Sequence, residues 1–185
     1  MLTPFITGSS ASEIEYHRVK ITSTSPDNKS VISGSLELRT PDIQKLHINN
    51  GLLNTKRVIV EASFRYEPII KWHNNEVVEI TIGTGSPGRY SVFYNLKTDK
   101  VSENIWFVLA YDTNRKIALL GDDRLRLIKV FEEKEIMDVK IPDIKLTAIN
   151  FLVVNNANFD DNGNISINYI SSDNQNKSIV IETEN

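Results

Sequence analysis

The chain is predicted to be all-β, an antiparallel two-layer β-sandwich of jelly-roll-like kind with at most one or two short helices. Three observations carry this. Apolar and polar residues alternate in short stretches from end to end, the signature of strands with one buried face. Turn-forming groups separate those stretches at fairly regular intervals. No segment has the length and spacing of the crossover helices that a parallel sheet needs.

The elements follow in order. Residues 1–12 are small and polar around Phe5 and Ile6 and read as an extended N-terminal arm. Residues 13–185 read as one sandwich domain, with a possible subdivision near 97–104. The first strand spans Ile14 to Thr24, with a parity switch near His17 that implies a bulge. Ser25-Pro26-Asp27-Asn28 is turn chemistry, and Ile32, Leu36 and Leu38 then alternate, which predicts a hairpin. Thr40-Pro41-Asp42 is a helix-start signal, with Ile43 and Leu46 on one face, so one or two helical turns are expected there. Val58, Val60, Ala62, Phe64 and Tyr66 give the cleanest period of two, opposite Arg57, Glu61, Ser63 and Arg65. Val78, Ile80 and Ile82 make a strand, followed by Tyr90, Val92 and Tyr94.

Ile105 to Tyr111 is apolar on both parities, which predicts a central strand covered on both faces with Trp106 in the core. Strands are then expected over Ile117 to Leu120, Leu125 to Phe131, Met137 to Ile141 and Leu146 to Val154, with Glu132 to Glu135 as an alternative short helix. Asn162-Gly163 predicts a tight hairpin turn leading into Ile165, Ile167 and Tyr169, and Ile179 to Ile181 closes the chain.

Composition bounds the rest. A chain of 185 residues buries a substantial core without covalent staples, and it contains no cysteine to form them. The formal net charge is −3 and no block of like charges appears, so neither a nucleic-acid footprint nor a basic packaging arm is expected. Residues 1–8 hold no basic n-region or long apolar run, and nothing approaches a membrane-spanning helix. The expected location is the cytoplasm at synthesis, with no membrane partner.

Motifs that carry chemistry are few. Gly83-Thr84-Gly85-Ser86-Pro87-Gly88 matches G-x-G-x-x-G, but a strand rather than a helix follows, so it reads as a glycine-rich hairpin loop able to touch a ligand or partner. Asp160, Asn162 and Asn164 stand at calcium-loop spacing, yet the glycine is misplaced and Ser171 occupies the position of the closing acid. His17, His47 and His73 are far apart, which gives no zinc motif. Trp72 and His73 lie beside Asn74 and Asn75, a combination that can stack on a sugar and bond its hydroxyls. The candidate ligand or partner contacts are therefore Trp72, His73, Gly83, Gly85, Gly88, Arg89 and Tyr90; no catalytic, cofactor or metal residue is assigned.

The expectation is a non-enzymatic structural or assembly protein that partners itself or other structural subunits, such as a capsid, spike, tail or fibre component of a virus or phage particle. The alternatives are a carbohydrate- or other ligand-binding sandwich and, last, an enzyme on a β scaffold.

Overall fold

A computed structural model describes residues 17–145, 147 and 149–183. Within them the chain folds as four antiparallel sheets, each built from one contiguous segment. The first holds β1 (His17–Thr24), β2 (Val31–Leu38), β3 (Gln44–Asn50) and β4 (Thr55–Ala62). The second holds β5 (Ile69–Trp72), β6 (Val77–Gly83), β7 (Arg89–Asn95) and β8 (Lys100–Val101), with β9 (Ile105–Trp106) sharing the free edge of β7. The third holds β10 (Val108–Asp112), β11 (Ile117–Gly121), β12 (Leu125–Lys129) and β13 (Lys134–Asp138). A single 3-10 turn (Asn150–Leu152) leads into the fourth, made of β14 (Val154–Phe159), β15 (Ile165–Ile170) and β16 (Asn176–Ile181).

The all-β, antiparallel, sandwich-like expectation holds, and the face-to-face packing it implies occurs three times. Ile32, Leu36, Leu46 and Ile48 of the first sheet meet Val78, Ile80, Val92 and Tyr94 of the second. The opposite face of the second sheet, through Val77, Phe93 and Ile105, meets Ala118, Leu120 and Ile128 of the third. The far side of the third, through Leu119 and Leu127, meets Ala157, Ile165 and Ile167 of the fourth. Apolar burial on both parities therefore marks the two inner sheets, and clean alternation marks the outer two. Within every sheet the strands follow as a meander, with β9 the one strand off that path, so the connectivity is simpler than the long crossings of a jelly roll.

Several expectations give way at particular residues. Thr40-Pro41-Asp42 starts no helix: the Thr40 hydroxyl accepts from the Asp42 amide at 3.2 Å, and β3 begins two residues later with Ile43 exposed. The run Ile105 to Tyr111 is two strands. Phe107, at φ 54°, turns the chain out of the second sheet and into the third, so Ile105 pairs with Ser91 while Val108 pairs with Leu120. A strand that changes sheets buries both parities in turn, and it leaves Trp106 at 43% exposure instead of in the core.

The strand expected up to Tyr66 ends at Ala62. Phe64 is fully buried beyond it, its carbonyl accepting from the Arg39 amide at 2.8 Å. A bulge at Ile59, between the pairs Leu46–Val60 and His47–Val58, buries Ile59 and Val60 in succession. The strand expected from Leu146 is replaced near its end by the 3-10 turn at Asn150, and in place of a helix Glu132 and Glu133 end a hairpin loop, Glu133 at φ 54°, while Lys134 and Glu135 open β13. The N-terminal arm (1–12), Ile14, Tyr16 and Leu146 lie outside the described residues.

Candidate functional site

The glycine motif is the loop joining β6 to β7, with Gly83 paired to Arg89 across the last rung. The Thr84 amide donates to the Gly88 carbonyl at 2.9 Å and closes the loop. Gly85 sits at φ 137°, a conformation that side chains rarely adopt. A Cβ there would stand 3.2 Å from Arg65 Nη1, and one at Gly83 would stand 3.2 Å from the Tyr66 ring. Bare backbone thus lets Arg65 and Tyr66, which follow Phe64 into the same region, lie directly against the loop.

A groove results, in two contiguous parts. One part, of about 620 Å³, is lined by Arg39, Thr40, Ser63, Arg65, Tyr66 and Gly83 among others. The other, of about 460 Å³, runs over Gly85, Ser86, Gly88, Arg89 and Phe151, and shares Tyr66 and Gly83 with the first. Tyr66, 46% exposed as a residue, lines both. Arg89 stacks on Phe151, its guanidinium carbon 3.9 Å from the ring centroid, and donates to the Val108 carbonyl at 3.2 Å. Burial lowers the Arg89 side chain's proton affinity, and the Glu79 carboxylate partly restores it. Phe151 also meets Phe107, which meets Trp106, which meets Tyr90, a row of rings of which Phe151 alone lines the groove.

The arginines sort by this groove. Arg18, Arg57, Arg115, Arg124 and Arg126 each pair with a carboxylate: Glu37, Asp99, Asp112, Glu135 and Asp122 respectively. Among the described residues, the other three, Arg39, Arg65 and Arg89, have no acidic partner, and all three line the groove. Among the described residues no Asp or Glu lines either part.

Of the sequence candidates, Gly83, Gly85, Gly88 and Arg89 come together here. Trp72, His73 and Tyr90 do not. Trp72 is the last residue of β5, half-buried against the first core, and its indole donates to the Ser23 hydroxyl at 2.9 Å. Tyr90 is buried in that same core. The His73 side chain, 5% exposed, lies between the second and third sheets, 2.9 Å from Glu79 Oε2 and tilted against Tyr111. Ser91 donates to Glu79 Oε1 at 2.6 Å, with Thr81 beside them. Burial by itself pushes the Glu79 carboxyl up, but the His73 and Ser91 hydrogen bonds outweigh it and hold the group below its ordinary value. The Tyr111 hydroxyl is enclosed without a partner, and burial, then the Asp112 and Glu79 charges, push its phenol up. This cluster fastens two sheets; its Glu79 charge acts on Arg89, but Trp72, His73 and Tyr90 line neither part of the groove.

The Asp160 turn is likewise spoken for. The Asp160 carboxylate accepts from the Asn162 and Asn164 amides at 2.9 and 2.8 Å and from the Asn164 side chain at 3.1 Å. Among the described residues no cluster of His, Asp or Glu has metal-site geometry. No helix among them is long and apolar enough to cross a membrane.

Arg39, Arg65 and Tyr66 are the groove residues that sequence reading did not single out. The available signal was weak: Arg65 and Tyr66 continue an alternating pattern past the true end of β4, as though they were strand residues. No family model matches the chain, and no curated protein matches its sequence.

Proposed function

We propose that the chain is a non-enzymatic structural protein that assembles with copies of itself or with related subunits through its fourth sheet, as a component of a virus or phage particle would. One observation carries the reading. The two terminal sheets of the stack each present an outward face, and the two faces differ in kind.

The first sheet's outward face bears Arg18, Lys20, Glu37, Lys45 and Glu61, the mixed charge of a solvated surface. The three strands of the fourth sheet contain a single charged side chain, Lys177, which bonds Asp143 at 2.7 Å. Its exposed positions are Asn156, Asn158, Ser166, Asn168, Ser178 and Val180 with Asn155 and Asn176 at one end. These side chains already bond one another, Ser178 to Asn168 at 2.7 Å and Asn155 to Asn176 at 2.9 Å. Val180 is 63% exposed on the open edge strand. Strand edges meant to stay single usually carry charge or proline, and β14 carries neither. Depletion of charge is also the compositional mark of an interface centre.

The test is size-exclusion chromatography with light scattering over a wide concentration range, on the parent and on Asn168→Lys and Val180→Lys. A defined oligomer that both lysines dissociate, with the far-ultraviolet spectrum retained, is the expected result. A parent that stays monomeric at every concentration, or an oligomer indifferent to both lysines, overturns the proposal.

A further inference from the structure

We infer that the groove around the 83–88 loop is a binding site for an anionic carbohydrate, a glycan carrying carboxylate or sulfate groups. The inference does not depend on how the chain assembles: the groove lies among the first and second sheets and the 3-10 turn, away from the outward face of the fourth.

Charge comes first. Among the described residues, five of the arginines are matched by carboxylates and the other three line the two adjoining parts of the groove. Arg89 is partly withdrawn from water, donates to a carbonyl and stacks on a phenyl ring. The Glu79 carboxylate acts on it through space but is itself bonded to His73 and Ser91. A bound anion would give this guanidinium a direct partner. Guanidinium groups present paired N–H donors that match carboxylate and sulfate oxygens two at a time.

The remainder of the lining selects a sugar over a bare ion or an acidic peptide. Tyr66, exposed and lining both parts of the groove, offers its ring as a platform for the apolar face of a pyranose. Thr40, Ser63, Thr84 and Ser86 supply hydroxyls that exchange hydrogen bonds with sugar hydroxyls. Gly83 and Gly85 let Tyr66 and Arg65 lie against the loop, which holds both side chains along the groove. Volumes of about 620 and 460 Å³, both lined by Tyr66, fall within the range of small-molecule sites. Sequence-neutral binding of single-stranded nucleic acid also combines arginine with aromatic stacking, and for that reason it is a competing arm of the test.

The experiment is calorimetric titration of the full chain with four probes of matched charge: a heparin oligosaccharide, an oligogalacturonate, a polyglutamate peptide and a single-stranded oligothymidylate. The parent, Arg65→Ala, Tyr66→Ala and Lys140→Ala are compared, Lys140 being an exposed cation outside the groove lining. The expected outcome is binding of at least one saccharide, weakened about tenfold or more by Arg65→Ala and by Tyr66→Ala and unchanged by Lys140→Ala, which separates groove recognition from bulk charge. Circular dichroism of each variant shows that it is folded. Failure of both saccharides to bind overturns the inference. So does equal or tighter binding of the peptide or the oligonucleotide, and so does saccharide binding that ignores Tyr66→Ala.

Discussion

Glu79 and His73 form a buried pair that ties part of this molecule's stability to pH on the acid side. Glu79 lies on the face of β6 that meets the third sheet, where carboxylates are rare unless paired. Its folded value is held below the ordinary 4.5 because the hydrogen bonds from His73 and Ser91 outweigh the burial that opposes them. A depressed carboxyl binds its proton less readily in the folded chain than in the unfolded one. The stability it contributes is therefore complete above 4.5 and is lost as the pH falls through the folded value. Urea melts of the parent from neutral pH down to about 3 should show that loss. Glu79→Gln should flatten it in the same window, with stability at neutral pH reduced. His73→Ala leaves the carboxylate enclosed without its partner and should cost about 3 kcal/mol at neutral pH. Parallel pH profiles for the parent and Glu79→Gln would show that the acid sensitivity comes from another group. In the sequence His73 stands as a candidate ligand contact beside Trp72, and Glu79 as a polar residue between Val78 and Ile80. Their partnership depends on which sheet covers β6, which periodicity does not encode.

One hairpin design recurs along the chain and explains much of its element-level regularity. Asn50 pairs with Thr55, Asn95 with Lys100, Asp112 with Ile117 and Lys129 with Lys134, each pair bracketing a four-residue loop. In every case the last loop residue is left-handed: Asn54, Asp99, Lys116 and Glu133, at φ between 51° and 59°. In the first three the opening side chain accepts two backbone amides, such as those of Lys97 and Thr98 at 3.0 and 3.2 Å on Asn95. Local hydrogen bonding of this sort fixes register before any sheet packs. Alternation and turn residues made most strands legible for that reason. The failures at Thr40 and at Trp106 have a common cause. A Thr hydroxyl on a nearby amide begins turns as well as helices, and burial on both parities describes a central strand and a sheet-changing strand alike. The glycine loop was visible in the sequence, whereas Arg39 and Arg65 reach it only through the approach of β2 and β4 to the second sheet. At Glu133 the left-handed backbone costs about 1 kcal/mol for a residue with a Cβ. Glu133→Gly should leave stability unchanged or raise it, and Glu133→Val should lower it by about 1–2 kcal/mol. Thermal unfolding of the two variants decides the matter, and a glycine variant less stable than the valine one would contradict this account of the loop.

Across the whole molecule, stacking order dictates where the fold opens first. The second and third sheets are covered on both faces; the first and fourth are covered on one. Local opening draws on the burial that it sacrifices, so the terminal layers should part before the inner ones. The fourth sheet is joined to the third by apolar contacts and by a polar clasp. Arg115 forms that clasp: it pairs with Asp112 at 2.6 Å on its own hairpin, donates to the Thr183 hydroxyl at 2.8 Å and bonds the Gly163 carbonyl in the β14–β15 turn. The turn is built around it, with Gly163 at φ 85° and the guanidinium occupying the space where a side chain would stand. Hydrogen exchange followed by mass spectrometry should therefore find β6, β7, β11 and β12 the slowest segments, with β1 and β16 among the fastest. Arg115→Ala should accelerate exchange in β14, β15 and β16 while leaving β6 and β7 as they were, because the clasp touches only the third and fourth layers. Uniform acceleration in all four sheets would mean that the stack opens as one cooperative unit, and the layered account of its stability would fall.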